Sequence, residues 1–215
     1  MVRSDACAVF LKDDPVLEAF ENSNQWEKSF FYCLKNWEEN PTDTECFLRI
    51  LLQSWYLLTY DDQLMVEKLP NGRIITHSIE PYAETCENVF WKTYEYGEAY
   101  FQEDARYLFL IGTLMVDWPF WFLQKGDRER EDGERRGYER LMKFCASSDS
   151  LRYPAIRERI LGIRTEVTVE EQEQLFPGNT AINMYFQERL EIWHYLEPIL
   201  QKFKSTPAST ADTVI

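Results

Sequence analysis

Two histidines, five cysteines and a few adjacent carboxylate pairs are the raw material from which this chain would have to build catalysis or metal binding. A nucleophile–histidine–acid triad needs a histidine oriented by an acid. His77 stands beside a segment patterned for a β-hairpin. His194 lies next to Trp193 inside a C-terminal amphipathic pattern, and neither has a visible partner. Cys7, Cys33, Cys46, Cys86 and Cys145 are odd in number and widely spaced, with no CxxC pair, so structural zinc is not indicated. Cys33, Cys46 and Cys86 fall on apolar helical positions, which suits small core residues in a reducing compartment. The pairs Glu38/Glu39, Asp61/Asp62 and Glu170/Glu171 sit at helix ends or turns. Neighbouring residues on a helix point in different directions, so these carboxylates do not converge on a substrate or a metal. Nucleotide-binding glycine loops, the GxSxG elbow, HExxH and the EF-hand loop are all missing from the sequence, and glycine is scarce at eight residues. The expectation is a protein with no catalytic, cofactor or metal site.

One acid stands apart. Asp117 interrupts the longest apolar run in the chain, Tyr107–Leu123, which reads YLFLIGTLMVDWPFWFL. An unpaired charge in such a run is costly, so Asp117 must face solvent, pair with an arginine, or hydrogen-bond at a bend made by Pro119. Trp118, Phe120, Trp121 and Phe122 follow within a few positions and cannot all face one side of a helix. They serve as core or as aromatic anchors for a partner. A pocket around Asp117 with nearby Trp and Arg residues is the enzymatic alternative. The run is at the short end of what a bilayer needs, and Asp117 and Pro119 break it, so it reads as a buried helix rather than a membrane span.

The elements that would position these residues are helical. Asp14-Pro15 is an N-cap followed by proline at the first helical position. Asn24–Glu27, Thr42–Glu45 and Thr168–Glu171 have the form of capping boxes. Trp26, Phe30, Cys33, Leu34 and Trp37 recur at helical spacing, as do Phe47, Leu48, Leu51, Leu52, Trp55 and Leu58. A further helix capped by Ser78 carries Ile79, Tyr82, Cys86, Val89, Phe90 and Tyr94 on one face, and Tyr107–Leu123 makes a central helix bent at Pro119. The last long helix opens at Asn179 and should bend at Pro198. Asn71-Gly72 between short β-branched runs signals at most one small β-hairpin near 66–76. The pattern predicts an all-α fold of about eight or nine helices in antiparallel hairpins, a bundle or short α-solenoid. It reads as a single domain over 1–204 with a disordered tail at 205–215.

The formal charge of -14, from 37 acids against 23 bases, opposes binding to nucleic acid or an anionic membrane and suits a basic protein partner. Glu38, Glu39, Asp61, Asp62, Asp117, Trp118 and Trp121 are the candidate partner-binding residues, the acids to steer association and the rings to anchor it. The short-linked helix pairs resemble tetratricopeptide-type helical arrays, with Tyr107–Leu123 and Gly133–Tyr138 as the nearest approach to one such hairpin. In composition the chain is similar to bacterial immunity proteins that neutralise secreted toxins. That similarity implies a cytoplasmic, non-enzymatic protein masking a basic toxin domain, and it carries over no individual residue.

Overall fold

The computed structural model describes residues 8–64, 66–68, 74–76, 81–123, 130–191 and 193–205; at 60–64, 66–68, 74–76, 195 and 205 the description is of the backbone alone. Cys7, Asn71-Gly72, His77, Ser78 and the tail from 206 lie outside the described residues. Among the described residues the fold is helical, with ten α-helices, one more than the upper expectation. Two three-residue strands, β1 (Val66–Lys68) and β2 (Ile74–Thr76), pair antiparallel with Val66 opposite Thr76 and Lys68 opposite Ile74. Residue contacts divide the chain into two compact units. The first comprises Val9–Phe101 and Gln172–Glu188; the second comprises Met1–Ala8, Gln102–Glu171 and Arg189–Ile215.

In the first unit, α1 (Pro15–Asn22) begins as its sequence dictates: Asp14 Oδ1 accepts from Leu17 N at 3.0 Å, and Pro15 occupies the first turn. The next two caps differ from expectation. Asn24 adopts the left-handed region at φ 54°, which asparagine tolerates, so α2 starts only at Trp26 (Trp26–Glu39) and no side chain caps it. The cap of α3 (Thr44–Leu64) is Asp43, whose Oδ1 accepts from Cys46 N at 2.9 Å, one position after the expected Thr42. α4 spans Ala83–Tyr100. α2 packs on α3, and α3 on α4. Phe30, Cys33, Phe47, Leu48, Leu51, Leu52, Trp55 and Phe90 are buried there. Within the same unit, Phe176 stacks between Phe10 and Phe186, at 5.3 and 5.2 Å between ring centroids.

The second unit is built on α5 (Ala105–Asp117), in which every residue from Tyr107 to Val116 is buried. Asp104 caps it through the N–H groups of Arg106 and Tyr107. The expected bent helix through Leu123 does not form. Proline disfavours helical geometry at the residue before it, and Trp118 sits at φ -127°, ψ 56°, so α5 ends at Asp117. A 3-10 turn, Pro119–Phe122, follows. α6 (Arg130–Ala146) then packs along α5, and the contacts descend one helix as they climb the other. Gly112 faces Arg140 and Leu141, Gly137 faces Val116, and Gly133 faces Pro119. α7 (Pro154–Leu161) ends in Gly162 at φ 73°, a left-handed position that favours glycine.

α8 (Val169–Leu175) opens with the expected reciprocal box: Thr168 N donates to Glu171 Oε2 at 2.9 Å, and Glu171 N donates to Thr168 Oγ1 at 3.3 Å. α9 (Ala181–Glu191) is capped by Thr180 rather than Asn179, through Asn183 N. The expected long helix with a bend at Pro198 is instead two helices. A 3-10 turn at Trp193–Tyr195 separates α9 from α10 (Glu197–Ser205), where Pro198 sits in the first turn and needs no N–H partner. Among the described residues no helix is long and apolar enough to cross a membrane.

Candidate functional site

The sequence-derived candidates fall into separate places. Asp117 ends α5 in the second unit. Its Oδ2 lies 3.1 Å from Arg189 Nε, and the two side chains are only 10% and 15% exposed. Of the three outlets open to this acid, the structure shows pairing with an arginine. The backbone beside it is tightly fixed: Trp118 N donates to Leu114 O at 2.7 Å and Trp121 N to Trp118 O at 3.1 Å, and the Arg136 guanidinium donates to Phe122 O. Trp118 and Trp121 are half-buried, Phe122 is buried and Phe120 is 65% exposed. The four rings therefore divide between core and surface around the 3-10 turn.

Glu38 and Glu39 end α2 in the first unit and are exposed. They follow Trp37, whose ring meets Tyr96 of α4 edge-on at 5.8 Å. Tyr96 in turn lies 4.6 Å from Tyr100 and 5.8 Å from Phe47, and its hydroxyl donates to Pro41 O at 3.2 Å. Tyr100 is 71% exposed, and the Lys92 ammonium stands 5.4 Å over the Trp37 ring. The exposed carboxylates at the end of α2 thus follow a buried ring, Trp37, that is linked through the half-buried Tyr96 to the exposed Tyr100. Asp61 and Asp62 lie in the last turn of α3, but their side chains are outside the described ones.

Sequence reasoning missed a buried polar network in the first unit. Its centre is Arg49, on α3 between Leu48 and Ile50 and only 5% exposed. One terminal nitrogen donates to Thr180 Oγ1 at 3.2 Å and Asn183 Oδ1 at 3.0 Å, the other to Lys12 O. Its Nε lies 3.3 Å from Glu45 Oε1, which also accepts from Lys12 N at 2.9 Å. Nearby Glu21, 6% exposed, accepts from Ala181 N at 2.6 Å and from Gln53 Nε2 at 3.1 Å. Burial pushes the Glu21 carboxyl up to about 7, against the pull of the Ala181 N–H, Gln53 and Arg49; Asp14 adds to the rise. The advance signals were an arginine on an otherwise apolar helix face and Glu45 four residues before it. Thr180 and Asn183 stand more than a hundred residues away, out of reach of any local pattern.

A pocket of about 130 Å3 opens beside this network, lined among others by Lys12, Asp13, Asp14, Glu45, Cys46 and Arg49. Cys33 also faces it; burial pushes its thiol well above the usual range, and burial raises Cys46 as well. Both thiols are therefore held protonated, which makes them poor nucleophiles. Among the described residues no group of three or more His, Cys, Asp or Glu side chains is placed to hold a metal ion. No family model, curated protein or solved structure matches the chain.

Proposed function

We propose that this chain is a non-enzymatic protein-binding module that holds a basic partner through an acidic, ring-bearing helical surface. The observation that carries the reading is the end of α2, where exposed Glu38 and Glu39 follow the buried Trp37, whose ring meets Tyr96 and through it the exposed Tyr100, on a chain of formal charge -14. Carboxylates raise the rate of encounter with a cationic surface, and aromatic rings give short-range affinity. The Lys92 ammonium over Trp37 is an internal example of the same chemistry. An immunity-type role, neutralising a basic toxin domain in a bacterial cytoplasm, is the form of this function that the composition suits. The same reading takes the other short-linked helix pairs to be antiparallel hairpins, as the opposed contact order of α5 and α6 suggests.

The test is association of the purified chain with a panel of basic proteins at low and high salt, compared with a Glu38→Gln/Glu39→Gln variant. Binding should weaken as salt rises, and the variant should associate more slowly. Failure to bind any basic protein at any salt concentration would remove the proposal. The enzymatic alternative around Asp117 needs that carboxylate free to meet a substrate, whereas Arg189 holds it in a nearly dry position.

A further inference from the structure

The stretch Gln172–Glu188 is a strap laid on the first unit. Both of its ends continue into residues of the second unit, so it joins Val9–Phe101 as a separate piece of chain. α1 grips the start of α9 within it by two carboxylates one turn apart. Glu18 accepts from Asn179 N and Nδ2, each at 3.4 Å, and Glu21 Oε2 accepts from Ala181 N at 2.6 Å. Further contacts hold the strap to the unit. Phe176 stacks on Phe10, and Tyr185 meets the Trp55 ring edge-on at 5.0 Å. Arg49, whose charge does not change over ordinary pH, holds Thr180 and Asn183.

Glu21 is the part of this grip whose charge is poorly supported. Glu134, the other buried carboxylate among the described residues, pairs with Arg130, whereas Glu21 has no ion pair among them. Its Oε1 accepts from Gln53 Nε2 at 3.1 Å, and the same nitrogen also serves Ser29 Oγ at 2.9 Å. Neutral donors of this kind replace little of the hydration that an ionised carboxylate loses on burial. The charged and titratable groups around it are few. Arg49 of α3 favours its ionisation, Asp14 at the cap of α1 opposes it, and the Cys33 thiol of α2 is held neutral. Glu18, one turn back on α1, faces Asn179, and the strap's own acids, Glu173 and Glu188, are exposed.

We propose that Glu21 is a proton-operated latch for this strap. With the proton on, the strap stays docked on α1 and α3. With the proton off, the strap lifts locally and water reaches the carboxylate and the rings of Phe10, Trp55 and Phe176. A carboxyl that titrates at 4.5 when hydrated and at about 7 when docked makes this opening about 70-fold more frequent at pH 8 than at pH 5. The latch is separate from the acidic surface at the end of α2 and does not depend on it.

Hydrogen exchange of the full chain, followed by mass spectrometry at pH 5 and pH 8 and corrected for the intrinsic rate at each, tests the latch. In the wild type, peptides covering 176–188 should lose about 70-fold in protection at pH 8. They should then be protected about tenfold less than peptides covering 48–57 of α3, because the opening is local. Glu21→Gln keeps an acceptor for Ala181 N and removes the titration, so its strap protection should agree at the two pH values within about twofold. Glu18→Gln should keep the wild-type response. The latch is overturned if strap protection in the wild type is independent of pH. It is overturned equally if strap and α3 share one level of protection at pH 8, since the strap would then open only with the whole unit. A pH response that survives Glu21→Gln, or that disappears with Glu18→Gln, would also sink the assignment.

Discussion

Replacing Gly137 by alanine puts helix propensity and packing in direct opposition. Gly137 lies inside α6, and in a helix interior alanine is favoured over glycine by about 0.8–1.0 kcal/mol. Judged from the sequence, Gly137→Ala should stabilise the protein. In the structure a Cβ at this position would stand 2.7 Å from Val116 Cγ2 and 2.8 Å from both Gly112 O and Val116 N. Two of those three atoms are α5 backbone, so no change of rotamer relieves the clash and α5 has to move. Overpacking of a tight core costs about 1–3 kcal/mol, and an obstacle made of backbone places this case at the upper end. Set against the propensity gain, the net expectation is a loss of about 2 kcal/mol. Gly112→Ala is the internal control. Its nearest obstacles are side-chain atoms, Leu141 Cδ2 and Cγ at 3.1 Å and Arg140 Cβ at 3.2 Å, and Leu141 can shift by a few tenths of an ångström. That variant should lie within about 1 kcal/mol of wild type, because a smaller overpacking cost nearly cancels the propensity gain. Equilibrium urea unfolding of the two variants and wild type, compared at unchanged m, reads the difference. A Gly137→Ala protein more stable than wild type by the propensity increment would show that α5 and α6 do not approach this closely.

Two further predictions concern buried charge. Arg189→Met leaves the Asp117 carboxylate without its guanidinium in a position that is only 10% exposed, and a loss of about 3 kcal/mol is expected in urea unfolding. Adding Asp117→Asn should recover part of that loss; strictly additive losses in the double variant would mean that the pair is not coupled. Glu21 governs a pH dependence. Its carboxyl rises from 4.5 to about 7 in the fold, so between these values the folded chain holds a proton that the unfolded chain has released. The associated stability is fully present below 4.5 and is lost as pH rises toward about 7. At about 1.4 kcal/mol per unit this amounts to roughly 3 kcal/mol at most. Glu21→Gln keeps an acceptor for Ala181 N and removes the titration. Its stability relative to wild type should therefore be higher at pH 8 than at pH 5, and equal differences at the two pH values would refute the assignment.

The sequence is read correctly at Asp14-Pro15, where proline at the first helical position marks Asp14 rather than its neighbour Asp13 as the cap, and at Thr168–Glu171. It misled where two cap-forming residues were close together: Asp43 takes the role of Thr42, and Thr180 that of Asn179. Pro119 and Pro198 read as bends because apolar spacing continues past both. Hydrophobic periodicity reports which residues are buried, and Trp118–Phe122 would be partly buried in a helix or in a turn. Whether a helix continues past its proline depends on neighbours that could replace the lost backbone bond, and no local pattern names them. The Arg49 and Glu21 networks were illegible for a different reason. Their partners, Thr180, Ala181 and Asn183, are brought to them only when the chain returns to the first unit.

The candidate acids are not equivalent in what they offer a partner. Asp117 faces Arg189 across 3.1 Å in a nearly dry position, so its field outside the protein is largely cancelled and its removal acts on stability. Glu39 lies 3.8 Å from Lys35, but both side chains are well exposed, at 60% and 72%, and such a pair is weakly held and easily exchanged for an incoming cation. Exposed charges of this kind act over a screening length of about 8–10 Å at ordinary ionic strength. The prediction is therefore a separation of readouts for the same chemical change. Glu38→Gln/Glu39→Gln should lower the association rate with a basic partner and flatten its salt dependence, with unfolding stability within about 0.5 kcal/mol of wild type. Asp117→Asn should do the reverse, lowering stability and leaving the association rate alone. An association rate that falls with Asp117→Asn and ignores Glu38 and Glu39 would move the binding surface to the second unit, at the turn that carries Trp118, Phe120 and Trp121.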